Sequence, residues 1–202
     1  MFVLGLTGSI GMGKSTAAAM LRRLGVPVHD ADAAVHHLLA GDRRVRAEIA
    51  ARFPAAVKGE IVDRQALGAA VFSDAAARRD LEAILHPRVR AATRRFLRDQ
   101  ARAGAPLVVL DIPLLFETGA EAGVDAVLVV TAPEFLQARR VLSRPGMSVE
   151  KFEGILASQV PDREKRRLAD YIVETGLGKA YTYRRLQRLV RALRAQGRQR
   201  VI

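Results

Sequence analysis

Five short apolar runs recur along the chain, at residues 2–6, 26–29, 107–111, 126–131 and 171–173. Near-continuous apolar runs of this length suit strands buried on both faces. Between them the apolar residues return at helical spacing, in 16–24, over most of 33–103, and in 133–142, 148–158 and 162–169. Ser148 is placed to cap its helix, and Pro133 stands in a first turn. Strands alternating with helices predict an α/β fold, a parallel five-stranded sheet with helices on both faces. The stretch 33–103 predicts a helical excursion, interrupted near Pro54, at Lys58-Gly59-Glu60 and at the pair His86-Pro87.

The last segment changes the picture through its charge. Leu186, Leu189, Val190 and Leu193 follow i, i+3, i+4, i+7 spacing and predict an amphipathic helix over 179–202, docked along one stripe. The same segment holds one Lys, seven Arg and no acid, so it carries +8 of the formal charge of +12. So basic a balance raises nucleic acid as a partner. Its concentration on one amphipathic helix predicts solvated arginines instead, and nucleic-acid binding is not expected. The absence of Cys excludes disulfides and thiolate metal sites and suits a reducing compartment. His36 and His37 lack Asp, Glu or Cys partners at metal-ligand spacing, which argues against zinc. With no run of about 18 apolar residues and no signal-peptide pattern at the start, a soluble cytoplasmic protein without membrane contact is expected.

The chemistry is concentrated after the first predicted strand. Gly8-Ser9-Ile10-Gly11-Met12-Gly13-Lys14-Ser15 fits the G-x-x-x-x-G-K-[ST] phosphate-binding loop without mismatch. Average residue frequencies produce such a match by chance in roughly 1% of chains this long. The glycines let backbone N–H groups converge on phosphate oxygens, Lys14 reaches the β- and γ-phosphates, and the Ser15 hydroxyl can ligate Mg²⁺. Two acids leave the second strand. One of them can hold an acceptor hydroxyl, take its proton, or bind Mg²⁺ through water, and Asp30 is also placed to cap the next helix. Asp111 ends the third strand, either simply closing it or orienting Mg²⁺ through water. Arg139, Arg140 and Arg144 lead into the turn Ser143-Arg144-Pro145-Gly146, which suits a lid closing over ATP. Arg140 and Arg144, four apart, project together if the helix reaches that far.

Taken in order, these stretches resemble the dephospho-CoA kinase family over essentially the full length. The resemblance rests on 6–16, Asp30-Ala31-Asp32, Val62-Asp63-Arg64, Val71-Phe72, Leu85-His86-Pro87 and 113–117, then Gln137, Arg140, Arg144, Gln159 and Ala169-Asp170-Tyr171. It implies transfer of the γ-phosphoryl of ATP to the ribose 3′-hydroxyl of dephospho-CoA, with Mg²⁺. It also implies a single P-loop kinase domain, its core about 1–32, 104–139 and 169–202, with a helical acceptor-binding insertion about 33–103 and a lid about 140–168. By position, Asp32, Lys14 and Arg140 are the expected catalytic residues. Gly8, Gly11, Met12, Gly13, Lys14, Ser15, Thr16 and Arg144 are expected to bind ATP. Asp32, His86, Pro113 and Leu114 are expected to bind the acceptor, and Ser15 and Asp111 the metal. Ser9 stands where the family usually has Gly, and Glu174-Thr175-Gly176 replaces a more usual Asp-Asn sequence. Two alternatives remain at this level: a related kinase for a nucleoside, nucleotide or small hydroxy acid, and a nucleic-acid-associated P-loop NTPase.

Overall fold

The structure, a computed structural model, describes residues 1–72 and 74–199. It divides into two compact units, Met1–His29 with Asp99–Ile202, and Asp30–Arg98. In chain order the elements are β1 (Phe2–Thr7), α1 (Lys14–Arg23) and β2 (Val28–Asp30), then α2 (Ala31–Gly41), α3 (Arg43–Arg52), β3 (Val57–Lys58), β4 (Ile61–Val62), α4 (Arg64–Phe72) and α5 (Ala75–Arg102). They continue with β5 (Leu107–Asp111), β6 (Ala126–Thr131), α6 (Glu134–Leu142), α7 (Val149–Ala157), α8 (Asp162–Leu168), β7 (Tyr171–Glu174) and α9 (Lys179–Gln199).

All five apolar runs become strands of one sheet, ordered β2-β5-β1-β6-β7. β1 pairs in parallel with β5 and β6, and β6 with β7. The side-chain period of two sorts each strand between two cores. Leu4, Leu6, Leu107, Val109, Leu128 and Val130 meet α1 and α9 residues such as Leu21, Leu186, Val190 and Leu193 on one face. Val127 and Val129 pack with Leu115 on the other. The expected C-terminal stripe is therefore real, with Leu189 packed against the same core and Arg184, Arg185, Arg188 and Arg191 exposed. Arg194 is the exception among these arginines, donating from Nη2 to Leu24 O and Gly25 O, both at 2.9 Å, and so closing the end of α1. Residues 200–202 of the expected helix lie outside the described residues. Among the described residues, no helix is long and apolar enough to cross a membrane.

The second unit has its own core, which includes Val45, Ile49, Phe53, Leu67 and Leu85. Its helices start on aspartates: Asp42 accepts from Arg44 and Val45 N–H, Asp63 from Gln65 and Ala66, Asp74 from Ala76 and Ala77. The Val45, Ala66 and Ala77 N–H groups, respectively, hold these carboxyls below their ordinary value. The expected break at Lys58-Gly59-Glu60 is present and is built as a small antiparallel hairpin, β3 with β4. One expectation changes here: His86-Pro87 does not interrupt the helix, because α5 runs through Pro87. Pro87 removes one backbone donor. Burial of Leu85 and Ala77, with Leu81 and Ile84 packed on the same core, holds the helix despite that loss. Arg88 adds a donation from Nη1 to Ile84 O at 2.6 Å and an ion pair with Glu48.

Candidate active site

The phosphate loop follows β1, so it emerges at the carboxyl ends of three adjacent strands, where open α/β sheets bind ligands. Gly11 and Gly13 adopt φ of 78° and 88°, conformations that L side chains rarely take. Gly13 is also the N-cap of α1, and no side chain caps that helix. The first-turn N–H groups of Lys14, Ser15 and Thr16 lack intrahelical acceptors and, with the helix dipole, form an anion site. The Ser15 and Thr16 side chains are exposed there. Gly8 is required for a different reason: a Cβ would lie 2.7 Å from the Val130 carbonyl oxygen. Ser9 beside it is buried, and its Oγ has no hydrogen-bond partner among the described residues.

β5 lies directly beside β1, with Leu6 in register with Asp111. That register carries the buried Asp111 carboxylate to the loop, where Oδ1 lies 2.7 Å from Lys14 Nζ. Two residues 97 positions apart thus form one charged pair at the phosphate cradle. Past Asp111, Thr7 Oγ1 donates to Pro113 O at 2.9 Å. Leu114 is exposed, whereas Leu115 is fully buried core. Glu117 then turns inward, its Oε1 accepting from Val160 N–H and pairing with Lys165 Nζ, both at 2.8 Å. Burial pushes the Glu117 carboxyl up, but Lys165 and the backbone donors outweigh it and hold it below its ordinary value.

The arginines differ from expectation. Arg140 and Arg144 do not project from one helical face, because α6 ends at Leu142 with Ser143 as its C-cap. Pro145 disfavours helical backbone at Arg144, which is exposed in the turn. Arg140 packs on the loop, with Nη1 donating to Gly11 O at 3.2 Å and to Thr175 Oγ1 at 3.1 Å, and Nη2 to Thr175 O at 2.9 Å. A cavity of about 900 Å³ borders the same loop, lined by Ser9, Met12, Pro133, Leu136, Phe152 and Gly176 among others.

In the second unit, Asp30 caps α2 as expected, accepting from Ala33 N–H at 2.9 Å. Asp32 is exposed in the first turn of α2, where the helix dipole favours a negative charge. His86 is exposed on α5. Periodicity alone missed the Lys14–Asp111 and Glu117–Lys165 pairs and the grip of Gln137 and Thr175 on the loop. The one available signal was chemical, Glu117 directly following the apolar stretch 114–116, whereas Lys165 lies within the charged run 162–167.

A phosphate loop between β1 and α1, a lysine paired with the carboxylate ending the neighbouring parallel strand, and a helical second unit define a P-loop kinase. A model of the dephospho-CoA kinase family matches residues 2–178. A dephospho-CoA kinase of Mesorhizobium japonicum is 55% identical over 196 residues, covering 97% of this chain and 98% of that protein. One of Paramagnetospirillum magneticum is 63% identical over 166 residues, covering 82% and 78%. Among solved structures, TT1252 from Thermus thermophilus superposes with a TM-score of 0.83 at 41% identity, covering 95% of this chain and 96% of that one. The dephospho-CoA kinase from Campylobacter jejuni gives 0.65 at 25% identity over the same shares. The chain belongs to the dephospho-CoA kinase family.

Proposed function

We propose that this protein transfers the γ-phosphoryl group of ATP to the ribose 3′-hydroxyl of dephospho-CoA, giving CoA and ADP. The observation that carries the reading is the complete phosphate loop with its Lys14–Asp111 pair, in a chain matched from 2 to 178 by that family. Phosphoryl transfer needs positioning and charge neutralisation more than covalent chemistry. The glycine-shaped loop and the first turn of α1 hold the phosphates. Lys14 exchanges its carboxylate partner for the β- and γ-phosphate oxygens, and Arg140 and Arg144 supply further positive charge. Asp32 orients the acceptor hydroxyl and takes its proton as the phosphoryl group is transferred. His86, Pro113 and Leu114 contact the acceptor.

The residues present fit Mg²⁺. An exposed hydroxyl at Ser15 and a carboxylate at Asp111 are hard oxygen donors of the kind this ion takes, several of its positions staying with water and phosphate. When bound, the ion neutralises charge on the β- and γ-phosphates. A cysteine-free chain fits work in a reducing cytoplasm.

The test is ADP release with ATP and Mg²⁺ against dephospho-CoA, shikimate, gluconate, nucleoside monophosphates and DNA. Turnover is expected with dephospho-CoA; its absence, with turnover of another member, would reject the assignment. Asp32→Asn is expected to lower kcat by about 10²- to 10⁴-fold while ATP affinity stays unchanged. A near-normal kcat would remove Asp32 from the chemistry.

A further inference from the structure

Three successive carbonyl groups of the phosphate loop are each taken by a side chain from outside it. Gln137 Nε2 donates to Ile10 O at 2.7 Å, Arg140 Nη1 to Gly11 O at 3.2 Å, and Thr175 Oγ1 to Met12 O at 2.8 Å. Gln159 Oε1 accepts the Ile10 N–H at 3.1 Å. In a trans peptide the C=O of one residue and the N–H of the next point in opposite directions. Holding these three carbonyls therefore turns the N–H groups of Gly11, Met12 and Gly13 away from the side chains that grip them. Met12 N–H closes a turn on Ser9 O at 3.1 Å. The Gly11 and Gly13 N–H groups are left to join those of the first turn of α1 as phosphate donors.

Thr175 is the junction of this network. Its hydroxyl has one proton, and the nearer acceptor is Met12 O at 2.8 Å, with Thr131 O at 3.2 Å. The same oxygen accepts from Arg140 Nη1, the Thr175 carbonyl accepts from Nη2, and the Thr175 N–H donates to Thr131 O at 2.8 Å. Gly13 completes the fit, since a Cβ there would meet Thr175 Oγ1 at 2.9 Å. The end of β7, the end of β6, α6 and the loop are thus tied through one residue.

We propose that Thr175 is a positioning residue for phosphoryl transfer: its hydroxyl presets the Met12–Gly13 peptide so that the loop receives the triphosphate already formed. It works through the loop backbone without touching the nucleotide. This inference rests on the loop binding ATP, as proposed above.

Thr175→Val keeps the shape and removes the hydroxyl, leaving Met12 O without this donor. The KM for ATP is expected to rise about tenfold, and affinity for inorganic tripolyphosphate, which has no base or ribose, to fall by about the same factor. The KM for dephospho-CoA should stay unchanged, and Thr175→Ser should restore wild-type values. The idea is overturned if the Val variant matches wild type for ATP and tripolyphosphate. It is equally overturned if the variant loses kcat with both KM values unchanged, the pattern of a smaller folded fraction, or if Ser is as impaired as Val. Wild-type turnover of dephospho-CoA, run alongside, tests the substrate reading separately. Should wild type fail there, the tripolyphosphate comparison still decides on Thr175.

Discussion

Lys14→Met is expected to lower kcat/KM for ATP by roughly 10³-fold, about the loss seen when one preorganised donor to developing charge is removed. Two effects are combined in that variant. The phosphates lose their cation, and Asp111, buried against β1, loses the ammonium 2.7 Å away. A carboxylate left in such a position destabilises the fold, so the single variant should also melt lower. Lys14→Met with Asp111→Asn separates the two effects. The double variant should regain much of the melting temperature, since no buried charge is then stranded, while activity stays at or below the level of the single variant, Asp111 also being a proposed Mg²⁺ donor. Recovery of activity in the double variant would show that Lys14 acts only as the counter-ion of Asp111.

The second large effect is expected at a buried ion pair outside the phosphate loop. Lys165 is fully buried, and its Nζ sits 2.8 Å from Glu117 Oε1. Lys165→Met should destabilise the protein by about 3–5 kcal/mol, because it removes one partner of a buried pair and strands the other. Thermal denaturation would register this as a drop of roughly 10 °C in Tm. Adding Glu117→Gln should return part of it. The pH dependence follows from the same contact. The Glu117 carboxyl is held below its ordinary value in the folded state, so its contribution is present above the unfolded pKa, about 4.3, and is lost as pH falls through the lower folded value. Wild-type Tm should therefore fall as pH drops below about 4.3, and the double variant, lacking this titration, should fall less steeply. Equal slopes would mean that the pair does not report on folding.

Much of this molecule is legible in local sequence because its determinants are local. A buried parallel strand needs an apolar run, a helix needs apolar spacing near 3.6, and a phosphate loop needs its glycines and lysine within eight residues. All five strands, the Ser148 and Asp30 caps and the docked stripe of α9 belong to this kind. The errors are local signals overruled from a distance. Pro87 reads as a break, yet α5 continues because its apolar face is buried in the second unit's core. Arg140 and Arg144 read as a pair, yet Pro145 closes the helix before Arg144 and the packing of α6 lays Arg140 on the loop.

By itself, then, the sequence determined the strands, the phosphate loop and the family, each of which is written within a short stretch or a series of such stretches. Only the tertiary structure decided what stands behind the loop. Register between β1 and β5 sets Asp111 on Lys14, and packing of α6 and the end of β7 brings Gln137, Arg140 and Thr175 onto three consecutive carbonyls. Such contacts join residues more than 90 positions apart, and no local periodicity encodes them, because they exist only once the sheet has aligned its strands.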